Sequence, residues 1–67
     1  MKMIDSLTLY HTEFQKVKMV DINGKVYRGK VTLYESEWDS DSGEAEIGLC
    51  GTWFKQSEIE SIEIIDD

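Results

Sequence analysis

The 67 residues predict a mainly β fold: a small, partly open five-stranded barrel with a short N-terminal helix or turn. Three observations carry this. Asn23-Gly24 stands between two alternating apolar runs, the strongest short-range hairpin signal. Further short alternations follow, set apart by polar and glycine-containing turns, with no proline in the chain. A chain this short with a single cysteine has no internal disulfide, so its core must come from a curled sheet, a packed helix or a partner chain.

Residues 1–14 come first. Ile4, Leu7, His11 and Phe14 recur at spacings of three and four, as on one helix face, and Asp5 or Ser6 is placed to cap it. Leu7-Thr8-Leu9-Tyr10 also alternates as a strand does. The expectation is a short helix or turn packed over one barrel mouth. Residues 15–65 then form the barrel, all within one domain spanning 1–67.

The hairpin admits two turns. A two-residue loop at Asn23-Gly24 pairs Ile22 with Lys25 and Met19 with Arg28, which sets apolar against cationic side chains. A three-residue loop, Ile22-Asn23-Gly24, asks Gly24 for a left-handed conformation that glycine adopts cheaply. It pairs Asp21 with Lys25, Val20 with Val26, Met19 with Tyr27, Lys18 with Arg28 and Val17 with Gly29. One face then reads Val17, Met19, Tyr27, Gly29, Val31 and Leu33. The other carries Lys16, Lys18, Arg28 and Lys30, with Val20, Val26 and Tyr34. Register follows the buried face, which selects the second turn. Gly29, facing inward in a long strand, is the expected bend.

The second strand runs from Lys25 to about Ser36. A polar loop, Glu35 to Glu46, connects it to a third strand marked by Ala45, Ile47 and Leu49. Gly51-Thr52 signals a turn, Trp53-Phe54-Lys55 a short fourth strand, and Ile59 with Ile62 one tight helical turn. Ile62, Ile64 and Ile65 form the closing strand before the acidic tail Asp66-Asp67.

The pattern V-x-M-V-D-x-N-G-x-x-Y-x-G-x-V from Val17 to Val31, the polar loop, I-x-L at Ile47 to Leu49 and the final S-E-I-x-S-I-E resemble the SH3-like and Sm-like small barrels. They are similar in particular to short, uncharacterised proteins of Gram-positive bacteria and their phages. The resemblance covers residues 14–65 and implies the barrel fold. Sm proteins that bind RNA place an Asp and an Asn in the loop after the second strand, and a basic-Gly pair before the last. Here the loop has Asp39 and Asp41 without Asn, and Cys50-Gly51 has no basic partner, so that mode of RNA readout is not implied.

Charge divides the chain. Residues 1–34 carry six Lys and Arg against three carboxylates, a net +3; residues 35–67 carry Lys55 against eleven, a net −10. A face built from the first hairpin is therefore basic on an acidic body, and halves of opposite sign can join head to tail as well as symmetrically. No apolar run reaches the roughly 18 residues of a membrane span. The N-terminus lacks a signal-peptide layout, and a free Cys50 fits a reducing cytoplasm, so a cytoplasmic protein without membrane partners is expected.

Chemistry-bearing patterns are sparse. Glu37, Asp39, Asp41, Gly43, Glu44 and Glu46 invite a Ca²⁺ reading, yet the glycine falls one place late for an EF-hand and position twelve is Gly48, leaving a solvated acidic loop. His11 and Cys50 could in principle form a nucleophilic dyad, but Cys50 continues an alternating strand without basic neighbours and reads as a packing residue. No catalytic, metal or cofactor residue is assigned, and an enzyme is not expected. The expected function is a non-enzymatic binding module for a protein partner or another copy of itself. Its candidate surface is Lys16, Lys18, Val20, Val26, Arg28, Lys30 and Tyr34, since apolar patches with a charged rim mark interfaces. Two alternatives stand beside it: an Sm-like single-stranded nucleic-acid binder, using Tyr34 with the basic stripe or a ring pore, and an acidic, phage-type DNA mimic using Glu35 to Glu46.

Overall fold

A computed structural model describes residues 4–65 of the protein, and the first hairpin has the three-residue turn. Strand β1 (Lys16–Asp21) pairs antiparallel with β2 (Val26–Glu35), matching Lys16 with Lys30, Val17 with Gly29, Lys18 with Arg28, Met19 with Tyr27 and Val20 with Val26. Gly24 takes φ +85°. Its N–H donates to the Asp21 carbonyl, and Asp21 N–H donates to that of Lys25, both at 2.9 Å. The Asp21 carboxylate completes the turn, since Oδ1 accepts from Asn23 N–H and Lys25 N–H, each at 2.9 Å.

Helix α1 (Ser6–His11) precedes this hairpin, and β3 (Glu46–Leu49), β4 (Thr52–Lys55), a 3₁₀ turn (Gln56–Glu58) and β5 (Ile59–Ile64) follow it. The five antiparallel strands form one sheet in the order β4-β3-β2-β1-β5, so the first strand lies beside the last. The sheet curls without closing between β4 and β5, giving a partly open barrel. The 3₁₀ turn sits at Gln56–Glu58, earlier than the Ile59–Ile62 spacing predicts, because Ile59 already pairs with Asp21. The pair Asp66-Asp67 lies outside the described residues.

Strand β2 belongs to both halves of the barrel. Its first part pairs with β1 and its second with β3. The register shifts between Val31 and Leu33, where Val31 faces Leu49 and Leu33 faces Gly48. Thr32 is thus the extra residue of a β-bulge, and its hydroxyl donates to the Gly48 carbonyl at 3.4 Å. Thr32 and Leu33 both face solvent, and every later side chain changes sides relative to a regular strand. Three expectations are corrected here. Leu33 is exposed (52%), not part of the core face. Tyr34 turns inward to pack against the core, away from Val20 and Val26. The register break falls at Thr32, while pairing with β1 runs regularly through Gly29; Gly29 instead admits close packing, since a Cβ there would lie 3.4 Å from Cys50 Sγ and 3.6 Å from Leu49 Cδ1.

The core consists of Leu9, Val17, Met19, Val31, Ala45, Ile47, Leu49, Phe54 and Ile59, with Ile4, Tyr27, Tyr34 and Ile62 packed against it. Tyr27 meets Phe54 edge to face at 4.8 Å. Asp5 caps α1 by accepting from Leu7 N–H at 2.9 Å. The helix buries Leu9, and buried Thr12 bonds back to the Leu9 carbonyl at 2.6 Å. Leu7, His11 and Phe14, expected on the packed face, are exposed; of that set only Ile4 packs inward. One and a half turns of helix bury a narrow side, and the fully buried Leu9 occupies it. Among the described residues no helix is long and apolar enough to cross a membrane.

Candidate interaction surface

The outer face of β1 and β2 presents ordered rows of side chains, because successive residues on paired strands alternate sides together. Val20 and Val26 form one row, Lys18 and Arg28 the next, Lys16 and Lys30 the third. Strand β5 extends these rows, placing Ser61 opposite Val20 and Glu63 opposite Lys18. A groove of about 250 Å³ runs between β1 and β5, lined by Lys18, Val20, Ser61, Ile62 and Glu63. Six of the seven expected surface residues are therefore brought together. Two directly opposed like-charge pairs on one face cost stability, by a few tenths of a kcal/mol each. Lys25 stands apart, its ammonium 5.2 Å from the Tyr27 ring centroid.

Tyr34, the seventh, is on the other side of the sheet. Its ring meets Tyr10 edge to face at 5.5 Å. Burial, then the nearby Glu37 and Glu13 carboxylates and Tyr10, raise its phenol above the ordinary 10.0. The basic face thus loses the aromatic platform that base stacking needs.

A second surface lies across the later half of the barrel, and sequence reasoning missed it. On the outer face, Leu33, Gly48 and Trp53 are neighbours across β2, β3 and β4, and Glu35, Glu46 and Lys55 form the adjoining row. Gly48 leaves a trough between the half-exposed Leu33 and Trp53 side chains. Grooves of about 190 Å³ and 560 Å³ meet at Trp53; the larger is lined by Glu35, Asp41, Ser42, Glu46, Trp53 and Lys55. Ser42 Oγ donates to Glu46 Oε2 at 2.6 Å and fixes that carboxylate. The available signal was the glycine at an outward position of the Ile47-Gly48-Leu49 alternation. The bulge at Thr32, which turns Leu33 and Glu35 outward, left no mark in the sequence.

The remaining candidates fall apart in space. Cys50 is exposed, not packed in a strand: it takes φ +54°, with Gly51 at φ +74°, in the two-residue turn joining β3 to β4. This is the type I′ geometry of tight hairpins. Its thiol donates to the Arg28 carbonyl at 3.5 Å. His11 packs edge-on against Tyr10 at 5.7 Å. In the acidic loop, Ser36 Oγ donates to Asp39 Oδ2 at 3.2 Å and Ser57 N–H to Glu44 Oε1 at 2.8 Å. Among the described residues no three His, Cys, Asp or Glu gather into a group that could hold a metal. Trp38 of this loop is 88% exposed. Comparison with protein-family models, with curated proteins and with solved structures finds no match to this chain.

Proposed function

We propose that the protein is a non-enzymatic binding module, an SH3-like or Sm-like small barrel, that docks an acidic protein surface on the outer face of its first hairpin. The observation that carries this reading is the facing of Lys18 with Arg28 beside the pair of half-buried Val20 and exposed Val26. A face selected for stability alone would alternate charge sign across the strands. Glu63 of β5 answers Lys18 on one side only, and a like-charged Lys18–Arg28 pair beside an apolar row fits a partner that brings a carboxylate to Arg28 and covers the valines. The inward turn of Tyr34 favours a protein partner over single-stranded nucleic acid. The exposed Cys50 thiol fits a reducing compartment such as the cytoplasm.

The test compares wild type with the Lys18→Glu, Arg28→Glu double variant, using poly-L-glutamate and a mixed-sequence single-stranded oligonucleotide as probes at low and moderate salt. Wild type is expected to bind poly-L-glutamate, and the double variant to lose that binding while keeping its far-ultraviolet spectrum. Equal binding by both proteins would overturn the reading. Preferential, steeply salt-dependent binding of the oligonucleotide would replace it with a nucleic-acid function.

A further inference from the structure

We infer that the acidic trough across β2, β3 and β4 is the seat for the basic face of a second copy, so that copies join head to tail. This rests on the reading of the β1–β2 face as a docking surface and names its partner. The two surfaces match row for row. On the basic face an apolar row, Val20–Val26, lies beside the cationic pair Lys18–Arg28, with Glu63 of β5 at the Lys18 end. On the other, the apolar row Leu33–Gly48–Trp53 lies beside a row in which Glu35 directly faces Glu46.

In both places the apolar and charged rows are two residues apart along the strands, a spacing of about 7 Å. Each surface holds a like-charge pair that is unfavourable alone and is relieved by the pair of opposite sign on the other. Asp41 adds a further carboxylate beside the trough, while Lys55 flanks Glu46 and limits where the incoming cations fit.

A symmetric contact centred on the Lys18–Arg28 pair, or on the Glu35–Glu46 pair, would set like charge on like charge. The contact is therefore heterologous, one copy's hairpin face in the next copy's trough, and it propagates into a ring or a filament. Both patches lie on the outside of a single sheet joined by β2, so one copy cannot cover its own trough with its own hairpin. At ionic strength near 0.1 M the net −7 of each copy is screened beyond about 10 Å, while the facing rows are in contact.

The test is charge reversal with complementation, read by sedimentation velocity over a wide concentration range. One variant carries Lys18→Glu and Arg28→Glu, the other Glu35→Lys and Glu46→Lys. Wild type is expected to self-associate, and each variant alone to sediment as a monomer. An equal mixture is expected to recover association to within about tenfold of wild type, because each surface then meets its opposite. Trp53→Ser, which removes apolar area without changing charge, is expected to weaken association at least tenfold and covers the case in which a reversed variant does not fold. A wild type that is monomeric throughout, a mixture of folded variants that stays monomeric, or association that survives both reversals would overturn the inference. A monomeric wild type that still binds poly-L-glutamate through Lys18 and Arg28 would refute the self-contact alone; loss of both would refute the docking surface itself.

Discussion

Lys18 stands directly opposite Arg28 across the β1–β2 hairpin, both on the outward side of the sheet, and Glu63 of β5 flanks Lys18 on its other side. Arg28→Glu would place Lys18 between two carboxylates. The variant is expected to be more stable than wild type by a few tenths of a kcal/mol, a rise of about 1–3 °C in Tm, while losing poly-L-glutamate binding. A thermal melt and a binding titration on the same sample check this. A fall in Tm would show that the pair is not a cost to the fold.

The Asp21 carboxylate holds the turn on which the hairpin register depends. Asp21→Ala removes the acceptor for Asn23 N–H and Lys25 N–H, and the 3.5 Å contact from the Tyr27 hydroxyl. A loss of about 1–2 kcal/mol is expected in urea denaturation. Asp21→Asn keeps one acceptor oxygen and should lose less.

Two leucines on the same short helix separate its faces. Leu9 is fully buried, and Leu9→Ala is expected to cost about 2–5 kcal/mol, most of what a domain this small has. Leu7 is 58% exposed, and Leu7→Ala should stay within about 0.5 kcal/mol of wild type. Chemical denaturation of the pair shows which residue anchors α1.

Cys50 occupies a left-handed position where asparagine is the better residue. Cys50→Asn creates an Asn-Gly type I′ turn and is expected to raise stability by about 0.5–1 kcal/mol, seen as a higher urea midpoint. A decrease would mean that the thiol bond to the Arg28 carbonyl outweighs the relief of backbone strain.

The hairpin was legible because its determinants are local. Asn23-Gly24 fixes the turn, and alternation over a few residues fixes which register buries Val17 and Met19. The five strands followed from the same period. Past Thr32 the reading failed for a physical reason: a bulge inserts a residue without changing composition, and Leu33 and Tyr34 are both apolar enough for either side. The helix misled in another way. Six residues make too short a stretch for a three-and-four spacing to outvote a single leucine. At Cys50 the turn departs from the usual Asn-Gly, so the alternation of the preceding strand seemed to run on. The second surface was hidden by both effects, since it needs Leu33 and Glu35 turned outward and Gly48 aligned between neighbours from two other strands.

Thr32 has a consequence for geometry beyond its own strand. Before it, the outward side of β2 carries Val26, Arg28 and Lys30; after it, Leu33 and the half-buried Glu35. A strand one residue shorter, lacking Thr32, would keep the same side chains outward in the same order but would run straighter. The two surfaces would then lie nearly in one plane and not around a corner. In a head-to-tail assembly, the corner angle between giving and receiving surfaces is the rotation from each subunit to the next. In the head-to-tail assembly proposed above, the bulge at Thr32 would set the turn from each copy to the next.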